Sequence, residues 1–364
     1  MKIVDVAAIP VSVPLLRPFK AAYGVRESAD FVLVKVAADN GLIGLGEAAT
    51  IPIYDEGSQG GVVYCIERYL KPLLVGQDPR RIAKLHQMMN VALKGQRYAK
   101  SAIDYALYDI TARSCGVPVY QLLGGYHHPV QVSAVFSSGD TEQVVREAEE
   151  QLRRGYRVLK LKVGSDHQRD LDCVRQLREA VGYDVQLRLD GNEAWRSKEA
   201  IAKIRDFERY LPAHVEQPVP AADLAGLSEV RQASAVPIVI DESVVSARDA
   251  HRVLSCVPGD LLNIKTARSG GLFPSLQLAA VAEAVGVPTF VGSMLELGVG
   301  TVANGHFAAA LATSSGAAEL VGPQFVKHDI LTSDLTYENG HLVLPDGPGW
   351  AVELDEEIVR EFRC

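Results

Sequence analysis

Between residues 130 and 320, short β-branched runs alternate with helical patterns at a nearly constant spacing. The runs read VQVSAVF, RVLKLKV, VQLRLD, HVEQ, PIVID, LLNIK and PTFVG, with helical stretches between them such as 141–154, 166–181, 198–210 and 247–253. Polar residues end successive runs at Lys162, Asp190, Glu216, Asp241 and Lys265, at intervals of 28, 26, 25 and 24 residues. Each interval holds one strand and one helix. Strands that are apolar throughout and separated by helices pair in parallel and are covered on both faces. About eight such units close a barrel of roughly 250 residues. An open doubly wound sheet also alternates, but it usually places a Gly-rich phosphate turn after its first strand. Here Ser137-Ser138-Gly139-Asp140 follows the first strand and lacks the G-x-G-x-x-G spacing. The spacing therefore predicts an α/β barrel.

The flanks differ. Residues 1–125 read as α+β: strands over 3–13 and 31–37 around a loop containing 19–26, then an Asp39-Asn40-Gly41 turn into 42–46. Helical patterns follow over 60–74, 82–93 and 99–114, the last stopped by Gly116 and Pro118. The chain thus divides into 1–125, a barrel over 126–320, and a tail over 321–364 with an Asn339-Gly340 hairpin, which is expected to pack back on the first segment.

Composition narrows the partners. A net charge of −8 with no basic block argues against nucleic acid. No stretch is long and apolar enough for a bilayer span, and the N-terminal run, broken by Asp5, Pro10 and Pro14, reads as a strand rather than a leader. Five scattered cysteines without a C-x-x-C pair read as reduced thiols of a cytoplasmic protein. A small-molecule partner is expected.

At a barrel mouth, residues ending the strands converge. Asp190, Glu216 and Asp241 end three consecutive strands. Any one of them could cap a helix or pair with an arginine. Three in phase would repel one another and raise their own pKa values unless a cation joined them. All-oxygen ligation is hard ligation, which suits Mg²⁺, or Mn²⁺ in its place. Lys160 and Lys162 stand at i and i+2 and share a face of their strand; burying them under helices would be costly, so they belong in the interior near the mouth. Lys265 ends the sixth strand, across the barrel. A lysine near a divalent cation and a second ammonium is expected to have a lowered pKa and to serve as a base. These parts suit removal of a proton α to a carboxylate, with the cation and Lys160 stabilising the enediolate and Lys162 and Lys265 as base and acid on opposite faces.

The order K-x-K, Asp, Glu, Asp, Lys on successive strands resembles the muconate-lactonizing (muconate cycloisomerase) subgroup of the enolase superfamily, in the mandelate racemase/muconate lactonizing enzyme family. The resemblance covers essentially the whole chain. It implies a modified TIM barrel, (β/α)7β, with an α+β capping domain built from the N-terminal segment and C-terminal tail. It assigns Mg²⁺ to Asp190, Glu216 and Asp241, the acid/base pair to Lys162 and Lys265, and enediolate support to Lys160. Asn192 and Glu242 would stand behind the metal ligands. The cap loops 19–26 and 51–55 would close over the substrate, which makes Tyr23 and Tyr54 candidate contacts.

The same parts serve cycloisomerisation, racemisation or epimerisation, and loss of water. Dipeptide epimerases of the subgroup carry a D-x-D pair on the eighth strand, whereas Ala317-Ala318-Glu319-Leu320 has none. Glu319 resembles the eighth-strand glutamate of muconate cycloisomerases, and the Gly292-Ser293-Met294-Leu295-Glu296 stretch resembles theirs, which makes Glu296 a further candidate. The expectation is a cycloisomerase-like isomerase. An amino-acid racemase or epimerase, a hydroxy-acid or hydroxyproline dehydratase (a lyase), and last a non-catalytic metal-binding scaffold are the alternatives. A homo-oligomer is expected. His251 and His306 fall on helices and read as structural.

Overall fold

The structure, a computed structural model, describes residues 1–55, 57–125, 129–137, 139–257, 259–312 and 314–364. Ser138, which falls in a stretch singled out above, lies outside the described residues.

The N-terminal part is a three-stranded antiparallel sheet of β1 (Ile3–Ala21), β2 (Gly24–Ala38) and β3 (Ile43–Thr50). The expected loop over 19–26 is instead mostly strand. β1 and β2 run on past a register shift between Pro14 and Phe19 and pair Ala21 with Gly24 at a two-residue turn. Pro14 and Pro18 break the local alternation, and a long partner strand restores pairing beyond them. Helices α1 (Gln59–Cys65), α2 (Lys71–Leu74), α3 (Ile82–Ala92), α4 (Arg97–Cys115) and α5 (Val119–Leu122) follow, with a π-helical turn at Ile66–Leu70 joining the first two. Helix α4 lies against β3, buried over Tyr98–Ala112. Glycines allow that approach: a Cβ at Gly46 would stand 1.8 Å from the Ala102 carbonyl oxygen.

The run VQVSAVF divides in two. β4 (Val130–Gln131) belongs to a small antiparallel sheet with β12 (Thr336–Glu338) and β13 (His341–Val343), while β5 (Ala134–Phe136) opens the parallel sheet. Gln131 pairs with His341, which ends the first pairing two residues before the second begins. The parallel sheet continues through β6 (Val158–Lys162), β7 (Gln186–Asp190), β8 (His214–Glu216), β9 (Ile238–Ile240), β10 (Leu261–Ile264) and β11 (Thr289–Val291). Its seven strands stand side by side in chain order, all parallel. The sequence spacing requires this, because each intervening helix returns the chain to the same edge: α6 (Thr141–Arg153), α7 (His167–Val181), α8 (Ser197–Glu208), α9 (Leu224–Ala233) and α10 (Ala247–Cys256). After β10 come the single turn α11 (Thr266–Ser269) and α12 (Leu272–Ala284); α13 (Gly298–Ala310) follows β11 and α14 (Glu356–Glu361) ends the fold. The architecture is thus α/β, a seven-stranded parallel sheet joined to an N-terminal sheet domain.

All five cysteines are free thiols. No helix among the described residues is long and apolar enough to cross a membrane.

Candidate active site

Register places the polar strand ends at one rim. Lys162 pairs with Asp190 and Asp190 with Glu216 across adjacent strands, and Asp241 and Lys265 directly follow β9 and β10. Asp190, Glu216 and Asp241 are wholly buried, Lys160 and Lys265 nearly so. Just beyond these ends the backbone turns sharply: Asn192, Glu193 and Gln217 hold positive φ, a conformation non-glycine residues sustain only where their surroundings enforce it.

The side chains form one charge network. The Lys160 ammonium lies 2.9 Å from Asp190, 2.9 Å from Glu216 and 2.7 Å from Glu319. Lys162 donates to Asp190 at 2.6 Å and to the Asn192 amide oxygen at 2.8 Å. Lys265 donates to Asp241 at 2.6 Å and to the Tyr54 hydroxyl oxygen at 3.1 Å. Tyr54 donates in turn to Glu242 at 2.8 Å, which also accepts from the Asn192 amide at 2.9 Å. Phe19, Tyr23, Ile51 and Tyr54 of the N-terminal sheet domain overhang Lys160, Lys162, Lys265 and Glu319, leaving a narrow cleft between them. The Tyr23 and Tyr54 rings pack with centroids 4.6 Å apart.

Burial opposes every charge here, and the neighbours decide which survive. The Asp190, Glu216 and Glu319 carboxylates outweigh burial and hold the Lys160 ammonium well above its ordinary pKa. Burial likewise opposes the Lys265 charge, and Asp241 overrides it and raises that pKa. The nearby Arg268 guanidinium works the other way on Lys265, lowering its pKa, and Asp241 prevails. Against burial, Lys160 and Lys162 keep Asp190 far below the usual carboxylate range, and Arg268 and Lys265 do the same for Asp241. Glu216 is pushed up, first by burial and then by the Asp190 charge, and Glu242 rises to about 7 through burial and the Asp241 charge.

Most of the predicted residues meet here. Glu296 stands behind the cleft wall: its carboxyl accepts from the Met294 amide at 2.9 Å and from the Ser293 hydroxyl, and both of those residues line the cleft. Reasoning from sequence missed Arg268, which ion-pairs with Asp241 and donates to the Tyr54 hydroxyl oxygen at 3.1 Å. Its spacing of three from Lys265 in a KTAR stretch was the one available signal. It also missed Gln217, whose amide oxygen accepts the Asp241 amide at 3.0 Å and ties two strand ends together. His251 is exposed on α10, and His306 is buried on α13, where its ring accepts the Tyr120 amide.

The donor set fits a hard divalent cation. Asp190, Glu216, Asp241, Glu242 and Glu319 gather carboxyl oxygens, the ligands Mg²⁺ prefers, and Glu242 keeps one of its buried oxygens without a partner. Among the described residues no three acid, histidine or cysteine side chains are arranged as a finished cage, since Asp190, Glu216 and Asp241 are each turned onto an ammonium or guanidinium.

Comparison with known proteins settles the lineage. Residues 3–124 match the mandelate racemase / muconate lactonizing enzyme N-terminal domain, and residues 143–358 match the enolase C-terminal domain-like family. The chain belongs to the mandelate racemase/muconate lactonizing enzyme family of the enolase superfamily. It is 37% identical to an L-Ala-D/L-Glu epimerase of Bacillus subtilis, over 97% of each chain. Its fold matches a muconate lactonizing enzyme from Pseudomonas fluorescens, crystallised with muconolactone, at a TM-score of 0.97 and 33% identity, covering 100% of this chain and 99% of that one. It also matches a dipeptide epimerase from Enterococcus faecalis, crystallised with Mg and the dipeptide L-Leu-L-Tyr, at 0.92 and 32% identity over 97% and 100%. The chain is an enzyme of an isomerase lineage within the muconate-lactonizing subgroup.

Proposed function

We propose that this chain is a muconate cycloisomerase-like enzyme that works, with Mg²⁺, through the enediolate of a small carboxylate. In ring closure a substrate carboxylate oxygen adds to the double bond and the enediolate so formed gains a proton at Cα; in the reverse direction that α-proton is removed and the ring C–O bond breaks. The observation that carries the reading is that Lys162 and Lys265, reaching in from β6 and from the end of β10, open on the same cleft with Lys160 and Glu319. Asp190, Glu216 and Asp241 would hold the metal, which supplies charge to the substrate carboxylate as a Lewis acid. Lys162 or Lys265 gives the α-proton in ring closure and takes it in the reverse direction, Lys160 faces the negative charge that develops on the carboxyl group, and the Tyr23–Tyr54 lid excludes water. Asn192 and Glu242 steady the lid tyrosine and Lys162. The cycloisomerase fate draws support from Glu319 beside Lys160, from the absence of a D-x-D pair, and from the 0.97 likeness to a muconate lactonizing enzyme.

We also infer a closed (β/α)7β ring. The Ala318 amide donates to Gln131 at 2.9 Å, Ser133 donates to Ala318 at 2.8 Å, and Glu319 donates to Val291 at 2.9 Å, so this stretch bridges the two ends of the sheet. The tail reaches the cap through Trp350, whose amide donates to Asp109 at 2.8 Å and whose indole donates to the Leu45 carbonyl at 2.9 Å.

A second reading, racemisation or epimerisation, rests on the two lysines, since ring closure needs only one of them. The test is incubation in D₂O with Mg²⁺ and cis,cis-muconate, N-succinyl amino acids, hydroxyproline or L-Ala-Glu epimers, followed by NMR. Lactone from muconate, lost in Lys162→Ala or Lys265→Ala, is the expected result. Deuterium at Cα of an amino-acid probe without lactone would favour the second reading. No lactone and no exchange with any probe would overturn both and leave a scaffold.

A further inference from the structure

Lys265 lies just outside the ladder pairing of its own strand, whose last paired residue is Ile264. It is the first residue past β10, and the chain then makes the single turn α11 and crosses Gly270 and Gly271, both at positive φ. Neither a four-residue helix nor two glycines can fix a backbone, because glycine loses the most conformational freedom on ordering. The restraint comes from the cap. The Tyr105 hydroxyl of α4 bonds the Thr266 hydroxyl, and the Thr266 hydroxyl bonds the Asn304 amide oxygen of α13. All three side chains are fully buried. An amide oxygen only accepts, so the one Thr266 proton goes to Asn304, and Tyr105 must donate to Thr266. The Asn304 amide nitrogen completes the chain by donating to the Gly300 carbonyl at 3.0 Å. One residue before Tyr105, Asp104 accepts the Leu272 amide at 2.5 Å and the Phe273 amide at 3.3 Å, pinning the other end of the same segment.

We propose that Tyr105 and Thr266 are positioning residues for Lys265: the cap helix α4, through this buried hydroxyl chain, sets where the Lys265 ammonium reaches into the cleft. Thr266 touches no substrate. Its Cα is one peptide from that of Lys265, and a small rotation there swings the ammonium at the end of a four-carbon stem. Lys162 stands on β6, held by full ladder pairing to β7, and has no such dependence. The two faces of the cleft therefore respond differently to the same substitution. This rests on the proposed roles of the two lysines.

Two measurements test it. Brief labelling of the whole enzyme with acetic anhydride, followed by peptide mass spectrometry, gives the reactivity of Lys265 relative to Lys162 without any substrate. In Tyr105→Phe and Thr266→Val that ratio is expected to change several-fold, while Thr266→Ser, which keeps the hydroxyl, restores it. In D₂O with Mg²⁺, both enantiomers of N-succinyl-lysine and both epimers of L-Ala-Glu serve as probes. Tyr105→Phe should slow exchange about tenfold or more for the stereoisomer that Lys265→Ala also silences, as expected for misplacement of order 1 Å, and leave the other stereoisomer unchanged. Equal slowing of both stereoisomers, or an unchanged labelling ratio in folded variants, would overturn the positioning role. If the wild type exchanged no proton from any probe, the proposed reaction would fail on its own, and the labelling ratio would still decide this inference.

Discussion

At the scale of single residues, the site is a balance of buried charge, and Lys160 carries more of it than any lysine beside it. Three carboxylates within 2.9 Å share its one ammonium. Removing one partner from a buried ionic cluster leaves the rest uncompensated and costs roughly 3–5 kcal/mol. Lys160→Met is expected to lose stability on that order in urea unfolding without divalent cations. Arg146→Met, whose pair with Glu142 at 3.5 Å is exposed on both sides, should lose under about 1 kcal/mol. Equal losses would refute the hub role. The strand-end residues were legible because a barrel delivers them to one rim whatever the loops do. Arg268 was not, since a charge after a strand end reads as an ordinary helix residue until a tertiary contact shows otherwise. The orientation of Glu296 was hidden for a related reason: its stretch specifies chain direction, while side-chain direction follows from the local turn, where Leu295 holds φ at 57°.

At the scale of elements, the parallel sheet was readable and its edges were not. Spacing of 24 to 28 residues allows few alternatives to consecutive parallel strands, so β6 to β10 follow from it. The boundary between β4 and β5 depends on β13, more than two hundred residues away, and nothing local marks it. The two-residue turn at the end of β1 and β2 was likewise hidden, because prolines argue against strand while the long antiparallel partner overrides them. The contact between α4 and β3 is where a single substitution should tell most. A side chain at Gly46 has no space against the backbone of α4, and backbone cannot yield as a flexible side chain can. Gly46→Val is expected to cost at least about 3 kcal/mol, the upper part of the overpacking range, in chemical denaturation. Gly60→Ala, where a Cβ would meet nothing within 4 Å, serves as the control. A Gly46→Val protein as stable as the control would show that α4 is not seated as described.

At the scale of the whole molecule, the joint between the N-terminal sheet domain and α13 contains acids that pair with no cation among the described residues. Glu47 of β3 accepts the Leu297 amide at 2.7 Å and the Gly300 amide at 2.8 Å, at the start of α13, and Glu296 and Asp329 lie nearby. The amides favour the charged form, but burial outweighs them, and Glu296 adds repulsion, so Glu47 is pushed well above the ordinary carboxyl range. Burial raises Glu296 and Asp329 as well. The consequence for stability has a definite sign. A carboxyl whose folded pKa is raised keeps its proton in the folded state at a pH where the unfolded chain, with its pKa near 4.3, has released it. The stability it contributes is complete below that ordinary value and is lost as pH rises through the folded pKa. Glu47→Gln removes the titration while keeping an amide oxygen to accept from α13. The variant should therefore show a shallower fall of unfolding free energy with rising pH above about 4.3, and should gain on the wild type toward alkaline pH. Urea unfolding at a series of pH values measures both curves. Parallel curves would mean that Glu47 is ionised in the folded protein, with the amides at the start of α13 stronger than burial.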